Sequence, residues 1–176
     1  MKLTFFTIVL ILSIFGYIIV SRAGTLPKAG DKAPVFNLPD AKGDLHGLSE
    51  YAGKWLVLYF YPKDDTPACT KEACHFRDDL SQLKKLGAQV VGISVDDGKA
   101  HSAFAKKYNL SFPLLSDKSG EVADSYGALT NLLVIKIAKR YTFLIDPQGN
   151  IAKVYLNVDT SRHSQQIIDD LTKINQ

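Results

Sequence analysis

Residues Trp55-Leu56-Val57-Leu58-Tyr59-Phe60 run without a polar break, the signature of a strand covered on both faces of a sheet. Pro62 ends the run. From Thr70 to Leu86, the residues Ala73, Phe76, Leu80, Leu83 and Leu86 fall at steps of three and four, which is one apolar face of a helix. The unit is strand, proline-bearing turn, helix, and both cysteines of the chain, Cys69 and Cys74, lie in it. Cys69 falls where the turn becomes helix, so unpaired backbone N–H groups and the positive end of the helix favour its thiolate. The other reading of a free cysteine is a small, inert, buried side chain.

The remainder of the chain repeats the alternation. Ala33 to Leu38 reads as an edge strand and Gly43 to Leu48 as a turn and second strand. Gln89 to Val95 is another buried strand, followed by a helix over Gly98 to Tyr108 with Ala100, Phe104 and Tyr108 on one face. Phe112 to Leu115, a short helix around Gly120 to Tyr126, strand Tyr141 to Ile145, a turn at Gly149-Asn150, strand Ile151 to Leu156 and a helix over Arg162 to Ile174 complete the series. Strands alternating with helices and closed by a hairpin predict an α/β sandwich: a central mixed sheet flanked by helices.

Met1 to Ala23 is of a different kind, since Leu3 to Val20 is almost free of polar residues. Its length suits both a signal peptide and a membrane anchor, an N-terminal hydrophobic helix in either case. Ser21-Arg22-Ala23 offers the small residues of a cleavage site, and the lack of a helix breaker favours retention. Both readings export the chain beyond Ala23, so the domain is expected in the periplasm or on a membrane, outside the cytoplasm. Gly24 to Lys32 reads as a linker, and 33–176 as one domain. The net charge of +3 is spread along the chain, which gives no case for nucleic acid. Two cysteines with only His75 close by argue against structural zinc.

The spacing Pro62-x-x-x-Thr66-x-x-Cys69 resembles the active-site signature of the peroxiredoxins. The likeness continues through Thr70-Lys71-Glu72-Ala73-Cys74-x-Phe76-Arg77-Asp78 and again at Arg140-Tyr141-Thr142-Phe143-Leu144-Ile145-Asp146. Over about Ala29 to Gln176 the chain is similar to the bacterioferritin-comigratory, or Q-type, peroxiredoxins. The resemblance implies a thioredoxin-like fold and a peroxidase that needs no metal, haem or flavin. Its substrates would be hydrogen peroxide or alkyl hydroperoxides, its reductant a thioredoxin-like protein, and its state a monomer.

The resemblance also implies roles. Cys69 would attack peroxide and become a sulfenic acid, and Thr66 would donate to the peroxide and orient it, a role that can coexist with capping the helix by accepting from an amide. Arg140 would stabilise charge on sulfur and on the leaving oxygen. Pro62 and Pro67 would shape the turn. Glu72 is either a first-turn dipole residue or the holder of an arginine. Cys74 would be the resolving thiol. On an intact helix five residues put two Cα atoms about 7.5 Å apart along the axis and about 140° around it, whereas a disulfide needs Cα atoms within about 7 Å. Bonding therefore requires the first turns to unwind. A static structural disulfide is the other reading.

One stretch departs from that family: Leu129 to Lys139 is mostly apolar where a glycine-containing polar segment is usual. It reads as a membrane-facing or protein-facing patch, or as a packed loop. The competing class is a non-catalytic thiol carrier of thioredoxin fold, either a copper-delivery module, with His101 and His163 as candidate ligands, or a disulfide-donor domain.

Overall fold

The computed structural model describes residues 24–132 and 135–176. The expectations for Met1–Ala23 lie outside them. Among the described residues no helix is long and apolar enough to cross a membrane.

Strand β1 (Asn37–Pro39) pairs antiparallel with β2 (Leu45–Gly47), apart from the main sheet. The edge strand expected over Ala33 to Leu38 is thus confined to its end. Ala33 and Phe36 are instead buried against the sheet, where their side chains fill the core without a ladder. A 3-10 turn (Leu48–Tyr51) leads into β3 (Trp55–Phe60), which is followed by α1 (Pro67–Asp78), α2 (Leu80–Lys85), β4 (Ala88–Ser94), α3 (Gly98–Tyr108), β5 (Leu114–Ser116) and α4 (Glu121–Ser125). Then come β6 (Leu129–Leu132), β7 (Ile135–Ala138), β8 (Thr142–Ile145), β9 (Ile151–Tyr155) and α5 (His163–Ile174).

The central sheet runs β5-β4-β3-β8-β9, parallel from β5 to β3 and antiparallel beyond. β3 is its middle strand, which is why its sequence has no polar face. Its side chains still alternate. Val57 and Tyr59 meet Phe76 of α1, Leu83 of α2 and Ile167 and Leu171 of α5 in one cluster, while Leu56, Leu58 and Phe60 meet Tyr126, Phe143 and Ile145 in the other.

The single helix expected from Thr70 to Leu86 is two helices, and α1 begins earlier, at Pro67. Asp79 interrupts the run with φ −91° and ψ 2°. Its carboxylate accepts from Ser164 Oγ of α5 at 2.5 Å, a tie that a continuous helix interior, where aspartate is a poor former, would not reward. Ala73, Phe76, Leu80 and Leu83 nevertheless all stay in the core.

Residues 24–32 lie against the domain. Gly30 N donates to Ile151 O at 2.8 Å, and Lys32 bridges to Asn150. The apolar stretch from Leu129 is not a packed loop but the β6–β7 hairpin, paired from Leu129–Ala138 out to Leu132–Ile135.

Candidate active site

At the carboxyl end of β3, Tyr61 N still donates to Ile93 O of β4 before the chain turns. The turn is pinned from within. Asp64 accepts from the Tyr61 hydroxyl at 2.8 Å and meets His101 Nδ1 at 2.8 Å, while its own N–H donates to Asp96 Oδ2 at 2.8 Å. Next to it, Asp65 stands at φ 56°, a left-handed conformation that a side chain must be held in. Lys107 Nζ and the Tyr108 hydroxyl hold it, at 2.8 and 2.7 Å.

This turn delivers Thr66 as the N-cap residue and Pro67 as the first residue of α1, where a missing N–H costs nothing. The capping reading of the Thr66 side chain does not hold: its hydroxyl donates to Lys63 O at 3.0 Å and caps no amide. The expected donation from this hydroxyl to peroxide is displaced as well, because Lys63 O already takes its one proton, and the lone pairs and first-turn amides are left for other partners. Pro62 is half-buried where β3 ends.

Cys69 lies in the first turn of α1, only 2% exposed. Arg140 reaches it from across the sheet. Because β3 and β8 run antiparallel with Tyr59 opposite Thr142, the residue two before Thr142 is carried to the end of β3, beside the start of α1. Arg140 Nη2 donates to Cys69 Sγ at 3.1 Å, and Nη1 donates to Glu72 Oε2. Of the two readings of Glu72, the arginine holder is the one observed. Burial pushes the Glu72 carboxyl up to about 7, with the Arg140 charge pulling the other way; its Oε1 is buried without a partner among the described residues. Beneath them Tyr59, fully buried, is held far above its ordinary pKa by burial and then by Glu72 and the neighbouring acidic groups, so its hydroxyl keeps its proton.

Cys74 sits on the same unbroken helix, partly exposed, and both cysteines are free thiols. Arg77, part of the motif that carries the family likeness but given no role from it, lies beside Cys74; its guanidinium is fixed by Asp78 at 2.8 Å and by Tyr108 O at 2.7 Å. The pins on the turn were also missed. Asp64 and His101 are 37 positions apart, and no local pattern announces such a pair. His101 and His163, the candidate copper ligands, are engaged elsewhere. His101 is closed in by Asp64, while His163 Nε2 meets Thr142 Oγ1 at 2.9 Å, and its ring packs on Phe76 and Tyr155. Among the described residues no group of three or more His, Cys, Asp and Glu side chains is placed to hold a metal ion.

A cysteine in the first turn of a helix behind the central strand, with an arginine on its sulfur and a buried glutamate on that arginine, defines a thioredoxin-like thiol enzyme. Residues 29–154 match the AhpC/TSA family. The chain is 47% identical over 148 residues to a peroxiredoxin bcp of Coxiella burnetii, covering 82% of this chain and 98% of that one. Among solved structures, peroxidoxin BcpB of Mycobacterium tuberculosis superposes with a TM-score of 0.81 at 37% identity, over 85% of this chain and 99% of that one. A Xanthomonas campestris bacterioferritin comigratory protein with alkyl peroxide reduction activity gives 0.76 at 29%, over 87% and 99%. The chain belongs to the AhpC/TSA family, in its bacterioferritin-comigratory or Q-type peroxiredoxin branch, and is a thiol-dependent peroxidase. The carrier alternative is not favoured.

Proposed function

We propose that Cys69 is the peroxide-reactive thiolate and Cys74 the thiol that resolves it, in a cycle closed by a thioredoxin-like reductant outside the cytoplasm. The observation that carries the reading is the Arg140 Nη2–Cys69 Sγ contact at 3.1 Å, since a guanidinium on sulfur stabilises the anion that must attack.

The Cys69 sulfur takes the terminal OH of a hydroperoxide. The O–O bond breaks with its electron pair on the remaining oxygen, which leaves as alkoxide or hydroxide and is protonated to alcohol or water; Cys69 becomes the sulfenic acid. Arg140, already fixed by Glu72, supplies donors for the charge moving off sulfur without reorganising. Thr66 has its donor committed to Lys63 O, so its free lone pairs accept a hydrogen bond from the hydroperoxide O–H and hold the molecule in line. The Cys74 thiolate then attacks the Cys69 sulfur and expels hydroxide, which leaves as water. A dithiol reductant returns two electrons and is itself oxidised to a disulfide. The alkyl peroxide activity of the Xanthomonas relative supports alkyl hydroperoxides as substrates beside hydrogen peroxide.

The test is stopped-flow peroxide consumption by the reduced domain 24–176. The Coxiella relative, spanned over 98% of its length by 148 residues, supports this domain as a unit that folds without the leading segment. Cys69→Ser should consume none, and Cys74→Ser should complete one turnover and fail to be recycled by a thioredoxin-like donor. Equal single-turnover rates for the wild type and Cys69→Ser would reject the assignment.

A further inference from the structure

The β6–β7 hairpin faces the wrong way for an ordinary half-covered sheet. Directly opposed residues share a face, so Leu129 and Ala138 lie with Asn131 and Lys136, and Thr130 and Ile137 lie with Leu132 and Ile135. The first face rests on the domain. Ala138 is buried, Leu129 packs on the core, and Lys136 Nζ donates to Ser119 O at 2.6 Å. The second face presents Leu132, Ile135 and Ile137 to solvent, 63%, 53% and 38% exposed. Antiparallel sheets with one wet side put polar residues there; this one puts three aliphatic side chains together, the mark of a contact surface.

Where the chain enters the domain says what the surface meets. Gly24 packs so closely on the Asp124–Ser125 backbone that no side chain would fit, and Leu26 lies against Gly127. Residues 124–127 lead straight into β6, and Lys139 Nζ, just past β7, donates to Gly127 O at 3.2 Å. The polypeptide therefore joins the domain at the root of the hairpin. Only Ser21, Arg22 and Ala23 separate Gly24 from the apolar run ending at Val20, a reach of at most about 14 Å. A bilayer holding that run would lie beside β6 and β7. Lys139, just past β7, lies over the Tyr141 ring at 5.5 Å, a cation and aromatic pairing suited to a headgroup layer.

We propose that Leu132, Ile135 and Ile137 are a membrane-contact face that seats the domain on an anionic phospholipid surface. The choice of lipid over a protein partner rests on placing the Leu3–Val20 run in a membrane, but the contact can be measured without that run. The domain 24–176 is sedimented with vesicles of phosphatidylethanolamine and phosphatidylglycerol, alongside a Leu132→Ser, Ile135→Ser, Ile137→Ser variant. All three side chains are exposed and none lies in the peroxide site, so peroxide turnover serves as the folding control. The wild type should bind, and the triple variant should partition at least about tenfold less. In a Leu132→Trp variant, fluorescence should be quenched by brominated acyl chains beyond the change seen for Trp55 alone. Failure of the wild type to bind, or equal binding by the triple variant, overturns the proposal. So does a concentration-dependent dimer abolished by the triple substitution without vesicle binding, which gives the face to a second copy. Release of the full chain from membranes at alkaline pH would overturn the anchor reading separately.

Discussion

Arg140 and Cys69, 71 positions apart, meet at 3.1 Å because the antiparallel β3–β8 register ends where α1 begins. The guanidinium is in turn held by a glutamate one helical turn past the cysteine, so charge, sulfur and support come from two elements that the sheet locks together.

Replacing Arg140 with lysine tests that geometry. The charge is kept, but an ammonium cannot reach Cys69 and Glu72 at once as the planar fork does. The single-turnover rate with hydrogen peroxide should fall by more than about tenfold, or about 1.4 kcal/mol of barrier. An unchanged rate would remove Arg140 from the site.

Glu72 makes a pH prediction. Its folded value of about 7 lies above the ordinary value of 4.5, so between the two the folded chain holds the proton more tightly than the unfolded chain. Its contribution to stability is present below 4.5 and is lost as pH rises toward 7. In urea unfolding, the wild type should lose stability relative to Glu72→Gln across that window. A difference between the two proteins that stays flat from pH 4.5 to 7 would contradict the assignment.

His163 should behave in the opposite sense. Burial, with Arg140 adding to it, brings its imidazole down to about 4 from 6.5. The folded chain resists a proton that the unfolded one accepts, so this contribution is present above pH 6.5 and is lost as pH falls toward 4. The stability difference between the wild type and His163→Asn should shrink over that range.

How far the site could be read in advance depended on distance along the chain. The strand-turn-helix unit and Cys69 were legible because aliphatic runs, prolines and a three-four periodicity are local signals, and Arg140 was reachable only through a family likeness. The break at Asp79 was not, because the residue at the break is tied to Ser164 of α5, a contact that periodicity cannot see. The Asp64–His101 and Asp65–Lys107 pins were hidden for the same reason. Likewise, the apolar composition from Leu129 was plain, but its outward orientation needed the β6–β7 register.

The floor of the site gives a packing prediction. A Cβ added at Gly92 of β4 would lie 2.7 Å from Tyr59 Cζ and 2.9 Å from Leu114 Cδ2. Tyr59 stacks on Tyr61 and packs on Phe76, so it cannot move alone. Gly92→Ala should cost about 1–3 kcal/mol in urea unfolding and slow peroxide turnover. Wild-type stability in the variant would show that the floor yields more easily than the packing implies.

The two-cysteine cycle stands or falls on motion in α1. Cys69 and Cys74 are both free on one continuous helix, too far apart and on different faces to bond as they stand. Amide hydrogen exchange of the reduced and disulfide forms reads this directly. Residues 69–76 should lose protection on oxidation while β3 and β4 keep theirs, because opening the start of α1 costs less than global unfolding. Equal protection of α1 in both forms would mean that Cys74 does not resolve Cys69 and that a thiol from another molecule does.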